Sequence, residues 1–171
     1  MSFHRFFFVL ILLATLVPIA EAGKENGELN LYKDPILEFE SARQIGLCPG
    51  LRNWGDERDS PDLRNDMRNW HCQGRYSLAI EGSKGKMVTL FAGFNYGKER
   101  GYLIVRKLDD KKVWVPDLMI FPANQWVSLP PEDGHIEEYG SFEIFFSPSP
   151  NFDQKVSSLK WGRWWKGEIP N

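Results

Sequence analysis

RYSLAIEGSKGKMVTLFAGFNYGKERGYLIVRKL, residues 75–108, is the stretch that decides the fold. Three short apolar or alternating runs, 76–81, 86–94 and 101–107, are separated by Gly82-Ser83-Lys84-Gly85 and Asn95-Tyr96-Gly97-Lys98. Both separators are rich in residues that accept positive φ, so each reads as a hairpin loop. Leu103 and Val105 stand two apart and share one strand face. Working outward, Asp109-Asp110-Lys111 turns the chain into 112–115, and further runs follow at 125–129 and 141–146. In the last of these Phe142, Ile144 and Phe146 lie opposite Glu143. Strands spaced by turns with no helical crossover predict a mainly β protein, an antiparallel β-sandwich or barrel over residues 75–165. Pro116, Pro122, Pro130, Pro131, Pro148 and Pro150 fall between the runs, where a missing N–H does least harm. Val88, Leu90, Leu103, Val105, Phe142, Ile144 and Phe146 are expected to share one core.

Upstream the texture is different. Residues 23–33 are polar with two glycines and read as a loose arm. Over 36–45, Ile36, Leu37, Phe39, Ala42 and Ile45 alternate with charges at a spacing that suits a short amphipathic helix. Asp34 would be its N-cap, Pro35 its first residue and Gly46 its stop. Residues 47–74 are loop-rich and dense in mixed charge, with a second short helix expected over 62–70. Cys48 and Cys72 are the two cysteines of the chain. They are expected to pair if the compartment is oxidising, with two unpaired thiols as the alternative.

The compartment is read from residues 1–22. His4 and Arg5 precede an almost unbroken apolar run to Ala20, and Ala20-Glu21-Ala22 places small residues where a signal peptidase cuts. The expectation is a removed signal peptide, a single β-rich domain over 23–171 and a secreted or periplasmic location. No later apolar run approaches spanning length, so no membrane span is expected after cleavage. A formal net charge of -2 argues against a nucleic-acid partner, whose affinity comes largely from neutralised phosphates.

One set of residues carries a family resemblance. In order, these are Met87-Val88-Thr89-Leu90-Phe91, Gly101-Tyr102-Leu103-Ile104-Val105, Phe121-Pro122-Ala123-Asn124, Ser128-Leu129-Pro130 and Gly140-Ser141-Phe142-Glu143-Ile144 before Ser147-Pro148. Residues 86–150 thereby resemble a bacterial β domain of unknown function, family four-three-eight-four. Ala123 interrupts that family's Phe-Pro-Asn turn, and residues 131–139 are more acidic than its pattern. The resemblance implies an accessory or binding module and supplies no active site.

Motifs that carry chemistry are scarce. Glu132-Asp133-Gly134-His135-Ile136-Glu137-Glu138 is dense in metal-type ligands, but its spacing matches no calcium or zinc motif and it reads as a solvated hairpin end. There is no Gly-x-Ser-x-Gly elbow, and Cys72 beside His71 is not a dyad, whose members come from distant segments. No catalytic residue, metal or cofactor is assigned. Trp54, Trp70, Trp114 and Trp126 read as core or core rim. The tail offers the candidate binding residues Trp161, Arg163, Trp164, Trp165 and Lys166, because interleaved Trp and cations can stack on sugars or grip apolar side chains. The same residues also read as a closing strand. The function expected is therefore a noncatalytic cell-envelope module with a protein or glycan partner, the alternative being a small secreted hydrolase or a hydrolase inhibitor.

Overall fold

The computed structural model describes residues 25–35, 50–63, 74–131 and 138–162. Several expectations lie outside them: the signal peptide, the helix over 36–45, the Cys48–Cys72 pair, Trp70, residues 132–137, and Arg163, Trp164, Trp165 and Lys166. Residues 64–70 of the second expected helix lie outside them too.

The described residues build nine strands in two antiparallel sheets and include two 3-10 turns, Phe94–Tyr96 and Phe152–Gln154. The strands are β1 Glu28–Pro35, β2 Gly50–Trp54, β3 Gly74–Glu81, β4 Met87–Phe91, β5 Tyr102–Lys107, β6 Val113–Val115, β7 Trp126–Leu129, β8 Phe142–Ser147 and β9 Ser158–Trp161. One sheet has the order β2-β1-β3-β6 and the other β7-β8-β5-β4-β9. Their facing sides form one sandwich-like core that contains all seven residues expected from the alternation, Val88 through Phe146. Leu29, Leu31, Leu78, Ile80, Val113 and Val115 oppose them from the four-stranded sheet.

Residues 28–35 are a strand between β2 and β3, not a loose arm, and Asp34 and Pro35 end that strand instead of opening a helix. The cause is a sparse alternation. Leu29 and Leu31 are fully buried on the inner face. Outside, Asn53 donates to Asn30 Oδ1 at 2.9 Å and also to Glu28, so polar cross-strand bonds do the work that apolar pairs do elsewhere. The charged stretch after Gly46 likewise contains β2.

The loop Gly82–Gly85 does not make a hairpin. β3 pairs with β1 and β6, whereas β4 pairs with β5 and β9, so the loop carries the chain from one sheet to the other. Gly82 needs its positive φ of 115°, and a Cβ there would come within 2.9 Å of the Gly27 backbone. Residues 108–112 cross back, which leaves the β4–β5 hairpin facing the β3–β6 pair. Residues 60–63 then run along the outer edge of β9. Ser60 and Leu159 exchange two backbone bonds of 3.0 and 2.9 Å, and Leu63 N donates to Ser157 O. That edge is covered, which removes a template for strand addition.

The outer face of the five-stranded sheet holds a second apolar cluster of Met87, Phe91, Ile104 and Phe145, with Tyr96, Tyr102 and Trp126 against it. This accounts for the burial of β4 on both faces. Arg106 pairs with Glu143 across the strands and lies 5.7 Å from the Trp126 ring centre.

Tyr76, at the inner end of β3, is buried in the main core, and burial pushes its phenol up to about 12. A pKa raised on folding gives stability that is complete below the unfolded value near 10 and is lost as pH rises through the folded value. Wild type should therefore lose about 2–3 kcal/mol more than Tyr76→Phe between pH 9 and 12, from about two units at 1.36 kcal/mol each. Parallel urea melts of the two proteins across that range would measure it. Parallel stability curves for the two would show that the phenol stays hydrated.

Candidate functional site

Trp114 is the middle residue of β6, between the inward Val113 and Val115, so its side chain goes to the outer face of the four-stranded sheet. It reaches over β3 at its small residues, where Ala79 is its register partner. There it meets the Tyr32 ring edge-on at 5.2 Å, and on the other side it stacks on Tyr139 at 6.4 Å and 26°. Beside this row lies a pocket of about 400 Å³. Trp114, Val115 and Pro116 form one wall, and Ile120 and Phe121 another. Leu129, Pro130 and Pro131 close it from the end of β7, and Tyr139, Gly140 and Phe142 from the approach to β8. Its volume lies within the range of small-ligand sites, and its walls are aromatic, aliphatic and prolyl.

The walls are held in place before any ligand arrives. Asp109 Oδ2 accepts from both the backbone N–H and the hydroxyl of Ser141 at 2.7 Å, and Oδ1 accepts from Lys111 N at 3.0 Å. Burial opposes ionisation of Asp109, but these bonds outweigh it and hold its pKa below the ordinary carboxylate value. Gly140 N donates to Lys112 O at 2.8 Å, and a Cβ on Gly140 would lie 2.3 Å from Asp109 Oδ1, so only glycine fits this close approach. Lys111 pairs with Glu138 at 2.6 Å. Tyr139 is thus fastened from both flanks.

The opposite wall is equally fixed. Leu118 and Phe121 are buried anchors, and Asp117 Oδ1 accepts from Met119 N at 2.8 Å. Between the anchors, Met119 is 37% and Ile120 64% exposed, the exposed large hydrophobic side chains among the described residues. The loop is pinned at both ends and holds two apolar side chains in water, one of which, Ile120, also walls the pocket.

Of the tail residues predicted to bind, Trp161 is the described one. It is 6% exposed, and its ring lies on Gly27, where a Cβ would come within 2.5 Å of it. Its backbone N–H donates to Asp59 Oδ1 at 2.8 Å. Trp161 is therefore a packing residue of the closing strand and offers no open ring face. Trp54 is core, whereas Trp114 and Trp126 are half-buried on the outer faces.

The chemistry available elsewhere is limited. No group of three His, Cys, Asp or Glu among the described residues is placed to hold a metal. Asp153 is buried, which raises its pKa; Arg75 opposes that shift, Asp117 adds to it, and Arg75 Nε lies 3.3 Å from Asp153 Oδ2. A carboxylate held by a guanidinium has the structural role of fastening Phe152–Gln154 to β3. Among the described residues no helix is long and apolar enough to cross a membrane. Comparison with protein-family models, curated proteins and solved structures found no match.

Proposed function

We propose that this protein is a noncatalytic binding module of the cell envelope, secreted or periplasmic, whose protein partner inserts an apolar segment into the pocket beside Trp114 and Tyr139. The observation that carries this reading is the exposed Met119-Ile120 pair, of which Ile120 lies in the wall of an aromatic pocket. A protein partner is favoured over a glycan because sugar recognition needs many hydrogen-bonding groups around a ring, and these walls are mostly apolar. Export rests on residues 1–22, and an intact mass beginning at Gly23 in the exported fraction would support it. A retained segment would refute it.

The pocket is tested with indole and cyclohexanol as probes, followed by the NMR shifts of the Trp114 side-chain N–H. Both should move that resonance, and Ile120→Asp should weaken the effect about tenfold, equivalent to about 1.4 kcal/mol, without changing the melting temperature. Chitohexaose or maltohexaose shifting Trp114 while the apolar probes do not would make the partner a glycan. If neither class of probe moves it, the pocket is not a binding site.

A further inference from the structure

We infer that the segment received by this pocket is proline-rich and extended, an inference that rests on the binding reading above. The hydrogen-bonding inventory of the walls points there. Pro116, Pro130 and Pro131 contribute no backbone N–H, and the N–H of Gly140 is already given to Lys112 O. The side-chain donors on the walls are the indole N–H of Trp114 and the hydroxyl of Tyr139, and neither has a hydrogen bond within the structure described.

An occupant that suits such walls brings hydrogen-bond acceptors and rigid apolar surface. A fatty acid such as laurate has the surface but acceptors only at its carboxylate end, so its alkyl chain would leave at least one donor dry. An ordinary extended peptide has acceptors but also one N–H per residue, each losing water on entry. A prolyl segment carries carbonyl acceptors without N–H groups, presents flat rings to aromatic faces and is already extended, so little chain entropy is lost on binding. Of the aromatic row, Trp114 and Tyr139 line the pocket, with ring centres 6.4 Å apart, and Tyr32 backs Trp114 edge-on at 5.2 Å.

The test titrates the full chain with blocked hexaproline, blocked hexa-alanine and laurate, reading the Trp114 N–H shift and the dissociation constant. Hexaproline should bind at least tenfold more tightly than hexa-alanine or laurate and shift the Trp114 N–H downfield as it becomes bonded. Trp114→Phe keeps an aromatic wall but removes the donor and should weaken hexaproline several-fold. Tyr139→Phe, which deletes only a hydroxyl, is the second variant should the first fail to fold. Equal or tighter binding of hexa-alanine or laurate overturns the inference, as does unchanged affinity in both variants. If indole still shifts Trp114 while hexaproline does not, the proline inference falls and the binding module stands. If neither binds, both fall.

Discussion

Phe152→Ala should lower the stability of the domain by about 3–5 kcal/mol, the cost of a fully buried phenylalanine whose cavity cannot collapse. The side chain is completely buried and meets Phe146 edge-on at 5.5 Å. Its position follows from topology. β8 and β9 belong to the same sheet but are separated by β5 and β4, so the connection crosses one end of the sandwich. Asn151, in the left-handed region at φ 53°, starts the turn, and Lys155 N closes it by donating to Phe152 O at 3.0 Å. The phenyl ring is the plug that this turn inserts between the sheets. A domain of this size has a total stability of about 5–15 kcal/mol, so the loss is a large share of the whole. Guanidinium titration should show a lower midpoint with an unchanged slope. A loss below about 1 kcal/mol would mean that the end of the core refills easily, and Phe152 would then not be its plug.

Much of this architecture could be read from the sequence because the strands from 75 onward repeat a period of two. Leu103 and Val105, and Phe142, Ile144 and Phe146, turned out to face one core for the reason that the spacing gave. The first strand was unreadable for an equally physical reason. In 28–35 the described alternation consists of Leu29 and Leu31, and its other face is joined by Asn30, Asn53 and Glu28, residues that read as loop in isolation. Turn chemistry has a similar limit. Gly82 and Gly85 announce that the chain reverses, but not whether it returns to the same sheet or enters the opposite one.

The site was less legible than the fold. Trp114 and Tyr139 are distant in sequence and meet only because residues 138–140 run beside the end of β6, fastened by Asp109 and Lys112. A usable signal was nevertheless present. Leu118-Met119-Ile120-Phe121, four consecutive apolar residues between Pro116 and Pro122, is too short and too enclosed by prolines to be a central strand. An apolar loop of that kind leaves some of its side chains in water. Trp161 shows the converse, since of the two readings its neighbours allowed it follows the closing strand. Its burial depends on the approach of Gly27, which no local reading reveals.

Lys107→Ala should cost about 3 kcal/mol or more, whereas Lys107→Met should lose less than half as much. Lys107 ends β5, is 1% exposed, and occupies the crossing between the sheets. Its amine donates to Lys111 O and, at 3.4 Å, to Ile80 O, so it joins the β5–β6 connection to β3. Burial lowers its pKa, while Asp109, Asp110 and Glu81 pull the other way without prevailing. A pKa lowered on folding means that the charged amine is less well solvated inside than in the unfolded chain, so its charge opposes folding at neutral pH. What the side chain contributes is mainly its stem, at about 0.8 kcal/mol per buried methylene, together with the volume it fills. Methionine keeps most of that volume and removes the charge, leaving two carbonyls with one donor fewer; alanine removes the volume as well. The pH dependence gives a separate check. Below the lowered pKa the unfolded state is favoured by this group, and the handicap disappears as pH rises toward the unfolded value near 10.5. The loss on Lys107→Met should therefore be smallest near neutral pH and grow toward pH 10. If methionine proves as damaging as alanine, the bonds to Ile80 O and Lys111 O outweigh the stem, and Lys107 is a polar staple between the sheets.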